Sequence, residues 1–131
     1  MSAFLTELCA NLKPGSDKVW ILRDPLRYRS DLLGDDIEAP AGFYTDFASI
    51  PRYIPIASNA LLGTAHREGV IHDLLYCSDN QWQVSRLMAD RIFLAAMKAR
   101  GKAFPIRMAM FLGVRAGGWL FFHRRKVADK L

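Results

Sequence analysis

Cysteine is almost absent from this chain. Cys9 and Cys77 are its only two. That excludes a disulfide framework and any metal centre with paired cysteine spacing, and both read as free thiols in a reducing compartment. No signal peptide is expected either, because Met1 to Lys13 lacks a basic start and a small-residue cleavage site. This segment reads instead as a short amphipathic helix ending at Pro14-Gly15. There are no internal repeats and no low-complexity segments. An uninterrupted membrane-spanning run is lacking too. Ala103 to Phe122 has about the length needed. It contains Arg107 and Arg115, each costing roughly 2.5–3.5 kcal/mol at a bilayer centre, together with Gly113, Gly117 and Gly118. A buried amphipathic helix is expected there, with a helix lying on a membrane surface as the lesser option. The basic residues are not interleaved with aromatics in a known module, which argues against sequence-specific nucleic-acid binding.

What is present is globular. The 131 residues are 51% hydrophobic and 24% charged, which fits a single domain, 1–131, able to bury a real core. The formal net charge is +5. Much of the excess sits in His123-Arg124-Arg125-Lys126, a segment suited to phosphates of an anionic membrane surface or simply to water.

The pattern divides the chain into a β-rich part, 17–49, and a helical part, 61–123. Val19-Trp20-Ile21-Leu22 is a short apolar run and Leu26-Arg27-Tyr28-Arg29 alternates. Asp24-Pro25 and Leu33-Gly34-Asp35-Asp36 read as turns, and Ile37-Glu38-Ala39 and Phe43-Tyr44-Thr45 as extended pieces. Residues 45–60 form a loop that Pro51 and Pro55 keep out of a helix. Helices follow at Leu61–Cys77, from a Ser85 cap to Arg100 with Gly101 closing, and from Pro105 to Phe122. The expected fold class is α+β: a small N-terminal antiparallel β-meander of about three strands, then three packed C-terminal α-helices.

The chemistry gathers in His72-Asp73-Leu74-Leu75-Tyr76. His72 and Tyr76 are four apart and share a helix face. Asp73 lies about 100° around from His72, so both can address one cleft. Asp90 falls on the next, antiparallel helix, within reach of His72 or Tyr76. A neutral His held by a carboxylate has one ring nitrogen fixed and the other open to take a proton from water. In this reading His72 is the base, Asp90 orients it and Tyr76 bonds Asp90. Asp73, with Asp46 from the loop, would be a metal ligand. Calcium suits such oxygen donors, with backbone carbonyls from Thr45–Ser49, and would polarise an ester carbonyl. The plain alternative is a hydrogen-bonded core histidine, with Asp90 pairing only with Arg86 or Arg91.

Ala65 through Tyr76, followed by Ala89-Asp90-Arg91-Ile92-Phe93, resembles the active-site helix pair of phospholipase A2, closest to the disulfide-free form in parvovirus capsid proteins. The resemblance covers roughly 35 residues. It implies His72 as general base, Asp73 as calcium ligand, Asp90 as orienter and Tyr76 as its supporting hydroxyl. The Gly-rich calcium loop of that family is replaced here by Tyr44-Thr45-Asp46-Phe47-Ala48-Ser49. Over most of its length the chain is also similar to a family of small uncharacterised proteins of tailed phages and prophages. Ala39-Pro40-Ala41-Gly42-Phe43, Thr45 through Arg52 and His72-Asp73-x-x-Tyr76 carry that likeness. It implies a viral setting near tail genes, with phage tail proteins as partners and the virion or host cytoplasm as location.

Three expectations follow. One is a phage-borne, calcium-dependent hydrolase of phospholipid esters. Another is a non-catalytic virion subunit of tail tip or baseplate, with residues 45–56 and the basic C-terminal segment as contact surfaces. The last is a metal phosphohydrolase using His66, His72, Asp73 and Asp90. It ranks lowest because His66 and His72 lie about 120° apart on one helix.

Overall fold

Leu26 to Ser30 alternates inward Leu26, Tyr28 and Ser30 with outward Arg27 and Arg29, the period of a half-buried strand. In a computed structural model, which describes residues 2–46 and 66–131, this strand is the centre of an antiparallel sheet. The described strands are β1 (Ala3–Phe4), β2 (Ala10–Leu12), β3 (Trp20–Leu22), β4 (Leu26–Ser30), β5 (Asp35–Ala39) and β6 (Tyr44–Thr45). Helices α1 (His66–Tyr76), α2 (Arg86–Ala99) and α3 (Phe104–Gly117) follow, with a 3-10 turn at Gly118–Leu120. The fold is α+β.

The strands form two three-stranded sheets, ordered β1-β4-β5 and β2-β3-β6, rather than one three-stranded meander. The extra strands come largely from the N-terminus. Where the sequence pattern predicts a helix over Met1–Lys13, β1 pairs Phe4 with Tyr28 and β2 pairs Asn11 with Ile21. A helix this short gains too few hydrogen bonds to stand alone. Pairing with two ready strand edges, and Phe4 packing 4.8 Å from Tyr28, decides the matter. The β4–β5 turn falls at residues 31–34, two residues ahead of the predicted turn. It closes through Gly34 N–H to the Ser30 carbonyl at 2.9 Å, with Gly34 at φ 69°.

Helix α1 is wedged between the sheets and α2. Eight of its 11 residues are buried, so packing rather than propensity or amphipathicity holds it helical. Val70, Ile71, Leu74 and Leu75 join Leu22, Leu26, Ile37 and Phe43 in the main core. Each such burial contributes roughly 1.5–3 kcal/mol. A smaller cluster, Phe93 and Met97 with Met110 and Val114, joins α2 to α3. The predicted start of α1 at Leu61 lies outside the described residues. At the α1 N-terminal end buried Glu68 has Arg100 Nε 3.1 Å away. This is an ion pair whose geometry misses a hydrogen bond, since both Glu68 oxygens are without one among the described residues.

Helix α2 has the expected limits. Ser85 Oγ accepts from Met88 N–H at 3.1 Å. Its end is a Schellman closure, with Gly101 N–H on the Lys98 carbonyl and Lys102 N–H on the Met97 carbonyl, both at 3.0 Å. Helix α3 stops at Gly117, short of the predicted Phe122, because the chain tightens into the 3-10 turn. No helix among the described residues is long and apolar enough to cross a membrane. Cys9 and Cys77 are free thiols, and burial pushes Cys77 up to about 12.

Two end substitutions test this account. Ser85→Ala is expected to cost about 1 kcal/mol. Gly101→Ala, held at φ 77°, is expected to cost about 1–2 kcal/mol. Urea unfolding midpoints of both variants measure the losses.

Candidate active site

His72 and Tyr76 leave α1 on the same face, and α2 brings Asp90 against them. His72 Nε2 lies 2.7 Å from Asp90 Oδ1, and the Tyr76 hydroxyl donates to the same oxygen at 2.5 Å. Arg115 on α3 donates to Asp90 Oδ2 at 2.8 Å. Arg86, one turn before Asp90, stands 3.6 Å from Oδ2. It also donates to the Val114 and Arg115 carbonyls, both at 3.2 Å. Asp90 is fully buried. Burial alone would raise its carboxyl. The hydrogen bond and charge of His72, then Tyr76 and Arg115, outweigh that and hold it below the usual carboxylate range. Burial first, and Asp90 second, push the Tyr76 phenol well above its ordinary value, so Tyr76 is a donor and not a base.

An ionised Asp90 accepts only. The proton of a neutral His72 therefore sits on Nε2, leaving the lone pair on Nδ1. That nitrogen has no hydrogen-bond partner among the described residues. His72 is 3% exposed, and its ring is gripped by Tyr76 and Phe93, with centroids at 4.1 and 4.8 Å. His72 nonetheless forms part of the wall of a cavity of about 350 Å³. Asp46, Asp73, Tyr76, Arg124 and Arg125 supply its polar wall, and Val114, Gly117, Gly118, Phe121 and Leu131 the rest.

The structure thus brings His72, Asp73, Tyr76 and Asp46 to one cavity, with Asp90 behind the imidazole. Asp73 has a clear local task. Its Oδ2 accepts from Thr45 Oγ1 at 2.6 Å and from Asp46 N–H at 3.2 Å, tying α1 to the end of β6. The opposite wall hangs on α1. His123 N–H donates to the Tyr76 carbonyl and Ser78 N–H to the Arg125 carbonyl, both at 2.8 Å. Arg125 donates to the Tyr44 carbonyl at 2.7 Å and stacks 4.7 Å from the Phe43 ring.

Calcium takes six to eight oxygen ligands. Among the described residues no group of three or more His, Cys, Asp or Glu side chains converges to hold a metal. The Asp46–Asp73 wall shares its cavity with two arginines. From Phe47 onward the loop invoked for further calcium ligands lies outside the described residues. The lack of a converging group among the described residues bears equally on the four-ligand set with His66, which opens α1.

Two residues were not legible as site residues. Arg115 appears in sequence only as a charge interrupting an apolar stretch, with no acid nearby on its own helix to pair with. Gly118 is needed for Tyr76: a Cβ there would collide with the Tyr76 hydroxyl.

Asp90→Asn keeps the shape and removes the charge. The folded carboxyl ionises more readily than the unfolded one. Its stabilisation is therefore complete above the unfolded chain's carboxylate range and fades as pH falls through the folded value. The variant is expected to lose about 3–5 kcal/mol near neutral pH, with the gap to wild type narrowing in acid. Chemical denaturation across a pH series measures this.

No curated protein and no solved structure matches the chain. One family does, over residues 20–114, which include β3 to β6, α1, α2 and most of α3. The chain belongs to the family described as "Protein of unknown function (DUF1353)".

Proposed function

We propose that this chain is a phage-encoded, tail-associated hydrolase with phospholipase A2-like chemistry, acting on a phospholipid ester through a water activated by His72. The observation that carries the reading is the His72 imidazole itself. Asp90 accepts a hydrogen bond from its Nε2–H, its buried Nδ1 has no partner among the described residues, and His72 lines a largely apolar cavity.

Nδ1 takes a proton from water as the water oxygen bonds to the ester carbonyl carbon. Asp90 stabilises the imidazolium that forms, and Tyr76 and Arg115 keep that carboxylate ionised and aimed. The proton then passes from Nδ1 to the leaving oxygen as its bond to the carbonyl carbon breaks. A fatty acid and a lysolipid result. The apolar wall suits an acyl chain. Arg124 and Arg125 are the cationic groups of the cavity. They would face the substrate phosphate or the developing oxyanion.

One observation favours a second reading. Asp90 is fully buried and its partners come from all three helices, which is also what a mechanical tie in a non-catalytic tail-tip or baseplate subunit requires. Catalysis separates the two. Folded full-length chain is expected to release fatty acid from mixed phospholipid micelles. His72→Gln should lower the rate roughly 10²–10⁴-fold, with its fold verified by circular dichroism. Runs with calcium and with chelator show whether the ion takes part. If folded wild type releases no fatty acid in either condition, the hydrolase reading fails and the structural one stands.

A further inference from the structure

Helix α3 is apolar where a surface helix is normally polar. Pro105, Ala109, Leu112 and Ala116 recur at helical spacing and are all exposed. Leu112 is 60% exposed, and Phe104 at the head of this stripe 62%. The buried residues, Met110, Gly113, Val114 and Gly117, lie on the opposite side. Past the helix the apolar surface continues in Trp119, Leu120 and Phe121, 58, 48 and 54% exposed. A run this size on one element is uncommon on a protein that meets only water.

Along the chain, the charge of α3 and of the segments flanking it has one sign. Between Asp90 and Asp129 the chain contains no acidic residue. Arg91, Lys98, Arg124 and Lys126 are exposed in this interval, and none has an ion-pair partner among the described residues. Arg107 lies 5.2 Å from the Phe104 ring. A second copy presenting the same face would oppose cation to cation.

We propose that the exposed face of α3 and the 118–121 turn dock on an anionic phospholipid bilayer, with the apolar stripe in the headgroup layer and the basic residues on lipid phosphates. Apolar area and cationic flanks are the two terms that hold a helix in that plane, and Trp119 is of the residue type that favours it. Phe121 belongs both to this surface and to the cavity wall, so the docked face borders the cavity. The inference is independent of catalysis at His72.

Sedimentation with vesicles tests it, using the full chain. Vesicles of phosphatidylcholine mixed with phosphatidylglycerol are expected to pellet the protein, and phosphatidylcholine alone to pellet far less. Leu112→Asp combined with Trp119→Glu changes only exposed positions and should weaken binding roughly tenfold or more. Arg124→Glu with Lys126→Glu should weaken it further at low salt, each cation being worth roughly fivefold. His72→Gln should bind as wild type, which separates this surface from the hydrolase reading. Equal pelleting of wild type and the Leu112/Trp119 variant, with both folded, overturns the proposal. So does finding that the wild type dimerises in solution, ignores anionic vesicles, and becomes monomeric on Leu112→Asp.

Discussion

One carboxylate organises the helical half of this protein. Asp90 has no access to water, and an isolated buried charge is among the most destabilising features a fold can carry. It is tolerable because each helix sends it a polar group: His72 and Tyr76 from α1, Arg86 from its own α2, Arg115 from α3. These partners make the charged form the favoured one, so the helices are joined through a point with direction as well as through apolar area. Hydrophobic packing alone would tolerate small slides of α1 on α2. A carboxylate shared at 2.5–2.8 Å does not.

The same arrangement gives α1 two uses. Its aliphatic residues fill the core, while His72, Asp73 and Tyr76 reach the cavity from the same 11-residue helix. Asp73 fixes the end of β6, and the Tyr76 carbonyl receives His123. The cavity walls are thus hung from both sides of one rigid helix. The groups that α1 supplies keep their geometry without depending on a loop. Gly118 completes the fit by leaving room for the Tyr76 hydroxyl.

Charge is distributed unevenly across the molecule. The outer face of the β4–β5 hairpin pairs its charges locally, Arg27 and Arg29 with Asp36 and Arg27 with Glu38. Such exposed pairs contribute little to stability, but they leave that face balanced. The C-terminal third has no acids between Asp90 and Asp129, and of its cations Arg100 pairs with Glu68 and Arg115 with Asp90 while Arg91 and Lys98 stay exposed. Positive charge is therefore concentrated in that third, and its Arg124 and Arg125 line the cavity.

Local spacing was enough to read part of this design. The four-residue step from His72 to Tyr76, the Ser85 cap, the Gly101 stop and the alternation of Leu26–Ser30 are short-range features, and backbone geometry alone turns them into a helix face, two helix ends and a half-buried strand. The position of Asp90 on the following antiparallel helix was legible for the same reason. Tertiary structure decided the rest. Met1–Lys13 has a helical apolar pattern, yet Ala3–Phe4 and Ala10–Leu12 became strands because open edges of β4 and β3 offered them hydrogen bonds that a single short helix lacks. Arg115 is 25 residues from Asp90, and no periodicity links them; only the packing of α3 on α2 does. Gly118 matters because of a side chain 42 positions away in a different helix. Sequence by itself determined which groups share an element. Which groups share a charge, a cavity or a steric gap was settled by the fold, because burial is what turns a distant arginine into a necessary partner.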